Sequence, residues 1–239
     1  MQRIVSLVPS QTEFLAYLGL EQEVVGITKF CVHPTSWFRH KQWVGGTKKL
    51  HLDVIRNLKP DLIIANKEEN TKEEIELLQQ EFTVYVSDIQ TIDDAFQMML
   101  DIGKLTKTST KAEQCVCEIQ SKRMLQTNKP SKKAIYLIWK EPYMVAGSDT
   151  FINEMMTEAG FKNCILDTRY PILGLEQLQE INAPYILLSS EPYPFKEIDQ
   201  QALQTILPKS RILLVDGEYF SWYGSRMLNA FDYFRTLDE

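Results

Sequence analysis

What this 239-residue chain lacks narrows its chemistry before any motif is read. No apolar run approaches the roughly 18 residues that a membrane helix requires. Positive charge is not in excess: 26 Lys and Arg against 32 Asp and Glu leave a net charge of −6. The basic stripe of a nucleic-acid binder is therefore missing. There is no glycine-rich phosphate loop, no Gly-x-Ser-x-Gly elbow, no His-Glu-x-x-His and no paired-cysteine metal motif, so no enzyme class announces itself. Histidine is scarce, three in all, and all lie between residues 33 and 51. A bare-metal site needs several His and carboxylate ligands on one point and would have to lean on carboxylates from elsewhere.

The N-terminus is equally spare. Its apolar run, IVSLVPS, is too short for a secretory signal and no cysteine nearby carries a lipid anchor. A cytoplasmic location is expected of the chain as it stands, unless an export signal was removed beforehand. The four cysteines are expected as free thiols. Cys115 and Cys117 sit two apart in a helical pattern and point away from each other, and nothing supports pairing Cys31 with Cys164.

What is present is alternation. Short β-branched runs, RIVSLV, EVVGIT, DLIIAN and FTVYVS, are separated by helical patterns at SQTEFLAYLGL, LDVIRNLKP and TKEEIELLQQ. Gly19 and Pro60 read as helix stops. Strands separated by helices imply parallel pairing through crossovers, hence an α/β fold. From Ile92 to Asn128 the pattern is helical, with Thr110 and Glu113 matching a capping box for a helix of about 18 residues, or about 27 Å. Beyond Pro130 the alternation resumes at KAIYLIW, DTFINEMMTEAGF, NCILD, LEQLQEI, YILLSS, DQQALQTI and RILLVD, with a last helix from about Ser225. The expected domains are an α/β lobe over 1–91, connecting helices over 92–130 and a second α/β lobe over 131–239.

One stretch occurs twice. LHLDVIRNLKPDLIIANKEE at 50–69 lies over LGLEQLQEINAPYILLSSEP at 173–192 without a gap, at a constant shift of 123. Each copy is a helix followed by a strand, ending at the carboxyl edge where open α/β sheets bind ligands. Two similar lobes joined by a long helix would each offer half of a cleft.

RIVSLVPSQTEFLAYLGL, the run at 52–62 and VAGSDTFINEMMTEAGFKN together resemble substrate-binding proteins of ABC importers for vitamin B12 and ferric siderophores, the helical-backbone class of metal receptors. The resemblance covers nearly the whole chain. It implies a class III periplasmic-binding-protein-like fold, two parallel-sheet α/β lobes joined by a long backbone helix. It also implies a monomer without an intrinsic cofactor that holds a metal chelate, a cobalamin or other corrinoid or a ferric siderophore, in the interlobe cleft, as the binding component of an ABC importer or as a cytosolic relative of one.

Carried over position by position, His33 falls where B12-binding relatives place a corrin-touching tyrosine, and an imidazole there is a candidate axial metal ligand. Thr47 and Asn66 stand where that branch presents tryptophan. Lobe two is richer in aromatics, at Trp139, Tyr143, Tyr170, Tyr193 and the run EYFSWYGSR, about half of which are expected to be core. The expected ligand contacts are His33 and Glu68 from the first lobe and Tyr143, Tyr219, Trp222 and Arg226 from the second, with Tyr143, Tyr219 and Trp222 read as loop residues. Glu69 and Glu191 also sit at strand tips. The permease-docking acids of the B12 importers are unmatched, at Gln42 and Ser221, with Glu218 near enough to replace one. The alternatives are a free metal-ion receptor and an α/β enzyme using His33 with Glu68 or Asp216. VAGSD reads as a helix cap in preference to an anion site.

Overall fold

The computed structural model describes residues 1–125 and 131–237. The chain divides into two compact units. Unit one is Met1–Ile119 together with Trp222–Met227; unit two is Gln120–Ser221 together with Leu228–Glu239. The connecting helices expected over 92–130 are thus shared out: the division falls inside a helix, and six residues from late in the chain belong to unit one.

Unit one begins with β1 (Ile4–Ser6), α1 (Pro9–Leu18), β2 (Val24–Ile27), α2 (Thr35–His40) and β3 (Gln42–Trp43). It continues through α3 (Leu52–Leu58), β4 (Leu62–Asn66), α4 (Lys72–Gln79), β5 (Val84–Ser87), α5 (Ile92–Leu105) and the larger part of α6 (Ser109–Met124). Its five strands pair in the order β3-β2-β1-β4-β5, all parallel. Parallel sheets are covered on both faces, so their strands are continuous apolar runs. Accordingly Ile4, Val5, Ile63 and Ile64 are all fully buried, each such side chain contributing about 1.5–3 kcal/mol by leaving water. Gly19 ends α1 in the left-handed region, at φ 86°, as its place in the pattern predicts.

Unit two contains β6 (Lys132–Trp139), β7 (Tyr143–Val145), α7 (Phe151–Glu158), β8 (Phe161–Asn163), β9 (Ile172–Leu173) and α8 (Leu175–Ile181). There follow β10 (Tyr185–Ser189), α9 (Glu197–Ile206), β11 (Arg211–Val215), α10 (Glu218–Ser221) and α11 (Met227–Thr236). The strand order is β11-β10-β6-β7-β9, with β8 beside the start of β6. This sheet is mixed, not wholly parallel as expected, because β7 runs antiparallel to both β6 and β9. β7 and β9 are three and two residues long, too short for periodicity to reveal. The same applies to β3 and α10.

The repeated stretch folds twice into the same unit. α3 and α8 have identical bounds at the shift of 123, and so do β4 and β10. Both helices end on a left-handed residue, Lys59 at φ 47° and Asn182 at φ 46°. Ile55 and Leu178 are each buried against their own unit's sheet. β4 pairs with the first strand of its unit and β10 with the first of its own.

The helix cap is elsewhere than expected. α6 starts at Ser109, which puts Thr110 inside the helix, while the backbone carbonyl of Thr108 accepts from the N–H groups of Lys111 and Ala112. The reciprocal capping box belongs to α5, where Thr91 Oγ1 accepts from Asp94 N and the Asp94 carboxylate accepts from Thr91 N at 2.9 Å. The expected end of the long helix, at 126–128, lies outside the described residues. Thr91→Ala should therefore lower unfolding free energy by about 1 kcal/mol, and Thr110→Ala by clearly less. Urea unfolding of the two variants compares them directly, and equal losses would place the cap wrongly.

Candidate ligand-binding surfaces

Because every strand of unit one runs the same way, the loops after β1, β2, β4 and β5 leave from one edge. Beneath that edge lies a buried polar cluster. Asn66, the last residue of β4, turns its Oδ1 back to accept from the N–H groups of Glu68 and Glu69, at 2.8 and 3.1 Å. Its own N–H donates to Asn70 Oδ1 at 2.9 Å, and Asn70 Nδ2 donates to Thr47 O at 3.1 Å. An asparagine that bonds backbone two residues on is a standard turn-former. Asn66 and Thr47, where the B12-binding branch presents tryptophan, are both buried. Asn66 ties the turn through its side chain, and Thr47 contributes its backbone carbonyl.

Unit two repeats the device. Ser189 stands at the position equivalent to Asn66, and its Oγ accepts from Glu191 N at 3.2 Å. Both copies thus hold a glutamate two residues past the strand end. Glu68 is half-buried and its carbonyl accepts from Lys48 Nζ.

Glu69 was the weaker candidate in the sequence, yet its surroundings are the more unusual. Desolvation pushes its carboxyl above the ordinary carboxylate range, and Lys48 pulls it partly back. Its charge is felt by Cys31, whose thiol is raised by burial and lowered by hydrogen bonds from Thr12 and Thr28. Thr12 Oγ1 lies 3.0 Å from Cys31 Sγ and donates to Val8 O at 2.9 Å. No pattern in the sequence marks Glu69, since its desolvation comes from folding. All four cysteines are free thiols.

His33 follows β2 and is half-buried. Its ring meets Trp222 edge-on, with centroids 5.5 Å apart and planes at 71°. Phe30 and Val32, on the same loop, are 50% and 39% exposed. Trp222 does lie in a loop, between α10 and α11, but it is only 7% exposed and packs in unit one. Arg226 lies beside it, its guanidinium carbon 5.2 Å from the Trp222 ring centroid. The guanidinium grips Glu13 of α1 with two bonds, Nε to Oε2 at 3.0 Å and Nη2 to Oε1 at 2.6 Å. His33, Trp222 and Arg226 therefore come together, on unit one and not on the second lobe as expected for the last two.

The two tyrosines are on unit two, in regular structure instead of loops. Tyr143 opens β7, pairs with Leu173 and is half-buried against the core. Burial raises its phenol pKa. Tyr219 lies in α10 and stacks on Tyr233 with centroids 4.8 Å apart. Neither lines the concavity of about 530 Å³ at this unit's carboxyl edge, which is walled by Leu188, Phe195, Leu214, Glu191, Asp216 and Glu218 among others. Of the other aromatics, Phe220 and Tyr223 are core. Trp139 is 40% exposed and begins an edge-to-face series through Tyr193 to Phe195. VAGSD leads into α7 but does not itself cap it: the cap is the next residue, Thr150, whose Oγ1 accepts from Asn153 N, while the Gly147 and Ser148 N–H groups donate to Arg169 O and Asp167 O.

A family model described as periplasmic binding protein matches residues 4–207. The chain belongs to that family. It is a solute-binding protein and not an enzyme, which removes the reading of His33 as a catalytic base. An ABC transporter substrate-binding lipoprotein of Bacillus subtilis is 28% identical, over 96% of this chain and 77% of its own. A vitamin B12-binding protein of Pectobacterium carotovorum is 23% identical, over 96% and 85%. A periplasmic heme-binding protein from Pseudomonas aeruginosa superposes with a TM-score of 0.86 at 18% identity, over 99% of this chain and 92% of that one. The periplasmic vitamin B12-binding protein of Vibrio cholerae gives 0.81 at 21% identity, over 100% and 99%.

These relatives overturn the cytoplasmic expectation, since they are named as a lipoprotein and as periplasmic proteins. The free metal-ion receptor goes too. The ligands named for the relatives just described are vitamin B12 and heme, and among the described residues no group of three or more His, Cys, Asp and Glu is placed to hold a metal ion. Nor is any described helix long and apolar enough to cross a membrane.

A raised carboxyl pKa has a stability consequence of definite sign. The folded state favours protonated Glu69 more than the unfolded chain does, so stability is lost as pH rises from the unfolded pKa through the folded one. Glu69→Gln removes that loss. Its unfolding free energy should exceed the wild type's at neutral pH, with the gap closing below the ordinary glutamate pKa of about 4.3. Denaturant unfolding from acid to neutral pH reads this, and a gap that stays constant with pH would refute the desolvated carboxylate.

Proposed function

We propose that this chain is the substrate-binding component of an ABC importer and that its ligand is a metal chelate with an open axial position, a corrinoid or heme. His33 is the side chain that addresses the metal. The observation that carries the reading is a half-buried imidazole held edge-on by Trp222, beside the exposed apolar Phe30 and Val32, at the carboxyl edge of a parallel sheet. Imidazole is a good ligand for iron and cobalt, and exposed apolar groups suit the face of a macrocycle. A hexadentate ferric siderophore, the other ligand implied by the sequence, saturates iron with its own donors and leaves an imidazole no position to fill. Vitamin B12- and heme-binding relatives support the same class.

Glu68 accepts amide or hydroxyl donors from the ligand's periphery. Tyr143 and Tyr219 of unit two are assigned ligand contacts, each to be tested by Tyr→Phe. The permease that receives the ligand is met without acids at Gln42 and Ser221. Gln42 is exposed on β3, whereas Ser221 Oγ donates to the Glu191 carboxylate.

Titration of the full chain with hydroxocobalamin and with hemin tests the proposal. Binding should quench fluorescence from the four tryptophans and shift the visible spectrum as imidazole takes the axial position. His33→Ala should weaken binding about tenfold or more, about 1.4 kcal/mol, and remove the axial shift. Unchanged affinity and spectrum in His33→Ala would defeat the His33 assignment. Binding of a ferric siderophore alone would defeat the tetrapyrrole class.

A further inference from the structure

Arg226 and Trp222 bear on His33 indirectly. The six residues Trp222–Met227, between α10 and α11, pack with unit one. They form a strap laid against α1. Gly224 makes the close approach: it holds φ +98°, where L side chains are strained, and a Cβ there would come within 3.1 Å of Phe14 Cβ. Two residues on, Arg226 closes its two-pronged ion pair on Glu13, with the side chains only 15% and 23% exposed. Two parallel N–H···O bonds fix direction as well as distance, and a half-sheltered pair is screened less by salt than a surface one. The same guanidinium lies over the Trp222 ring, and Trp222 in turn meets the His33 imidazole edge-on. The contacts run in order from Glu13 to Arg226, Trp222 and His33.

We propose that Glu13 and Arg226 are positioning residues: their ion pair fastens the Trp222–Met227 strap to α1 and so holds the Trp222 ring that sets the orientation of His33. A flexible imidazole loses rotamer freedom when it binds a metal, and a ring already held loses less. The strap thus pre-organises the side chain assigned to the ligand. That last step rests on the proposed function; the orientation of His33 in the free protein does not.

The two are read separately. In the ligand-free full chain the ring protons of His33 lie in the ring current of Trp222, so their NMR signals should stand apart from those of His40 and His51, assigned with His→Ala variants. Arg226→Met, Glu13→Gln and Gly224→Ala should each move the His33 signals toward the other two. Signals unmoved in both folded Arg226→Met and folded Glu13→Gln would overturn the proposal, and if one variant does not fold, the other carries the test.

The second readout is hemin and hydroxocobalamin affinity. Arg226→Met should weaken binding several-fold, and Arg226→Met with His33→Ala should bind no more weakly than His33→Ala alone, because residues acting through one another are not additive. Full additivity would overturn the proposal by making Arg226 a ligand contact in its own right. Wild type that binds neither probe while the NMR shifts behave as expected would defeat the proposed function and leave the strap's role standing.

Discussion

Parallel strand pairing is the constraint on which the rest depends. A parallel pair cannot be closed by a tight hairpin, so each connection must cross the sheet, usually as a helix. Every strand then ends at the same edge, and the loops leaving it are neighbours in space though distant in sequence. In unit one this gathers the His33 loop, the Asn66–Asn70 turn and the strand end at Ser87 over one buried polar cluster. The helices cover both faces of the sheet, which leaves that edge as the place where polar backbone and polar side chains collect. It is also the edge at which His33, the proposed ligand contact, stands.

The chain applies the arrangement twice. The turn past β4 is tied by an asparagine carboxamide and the turn past β10 by a serine hydroxyl, each accepting from the N–H two residues on. The chemistry differs and the geometry is kept, because what the turn needs is a short acceptor at the strand end. The two edges then diverge in character. Unit one carries an imidazole, exposed apolar groups and lysines, whereas the concavity of unit two has an acidic wall at Glu191, Asp216 and Glu218.

The α/β class and the major strands and helices were legible because each long element carries its own period. The shift of 123 even carried element bounds from one unit to the other. The short elements β3, β7, β9 and α10 were missed, since they complete no period and, unlike β1, β2 and β5, lie in no longer apolar run; β7 among them changed the sheet from parallel to mixed. The cap assigned to Thr110 failed for a related reason. The Ser/Thr-x-x-Glu signature is local and does not fix where a helix starts: α6 begins at Ser109, and the Thr108 backbone carbonyl, not a hydroxyl, accepts from the N–H groups of Lys111 and Ala112.

The site was legible in part. The family resemblance pointed to a binding protein and, carried over by position, to His33 as a candidate contact, while the repeat pointed to the strand ends. The contacts of Arg226 were not readable, because Glu13 is 213 positions away from it in the chain and nothing local records the pairing. The same holds for Glu69, whose raised pKa is a property of its desolvation. Sequence by itself determined the α/β class and the longer helices and strands, since those follow from local period and turn chemistry. Only tertiary structure decided which side chains became supports, which were desolvated and which stayed exposed, because burial and ion pairing depend on residues that the chain brings together from far apart.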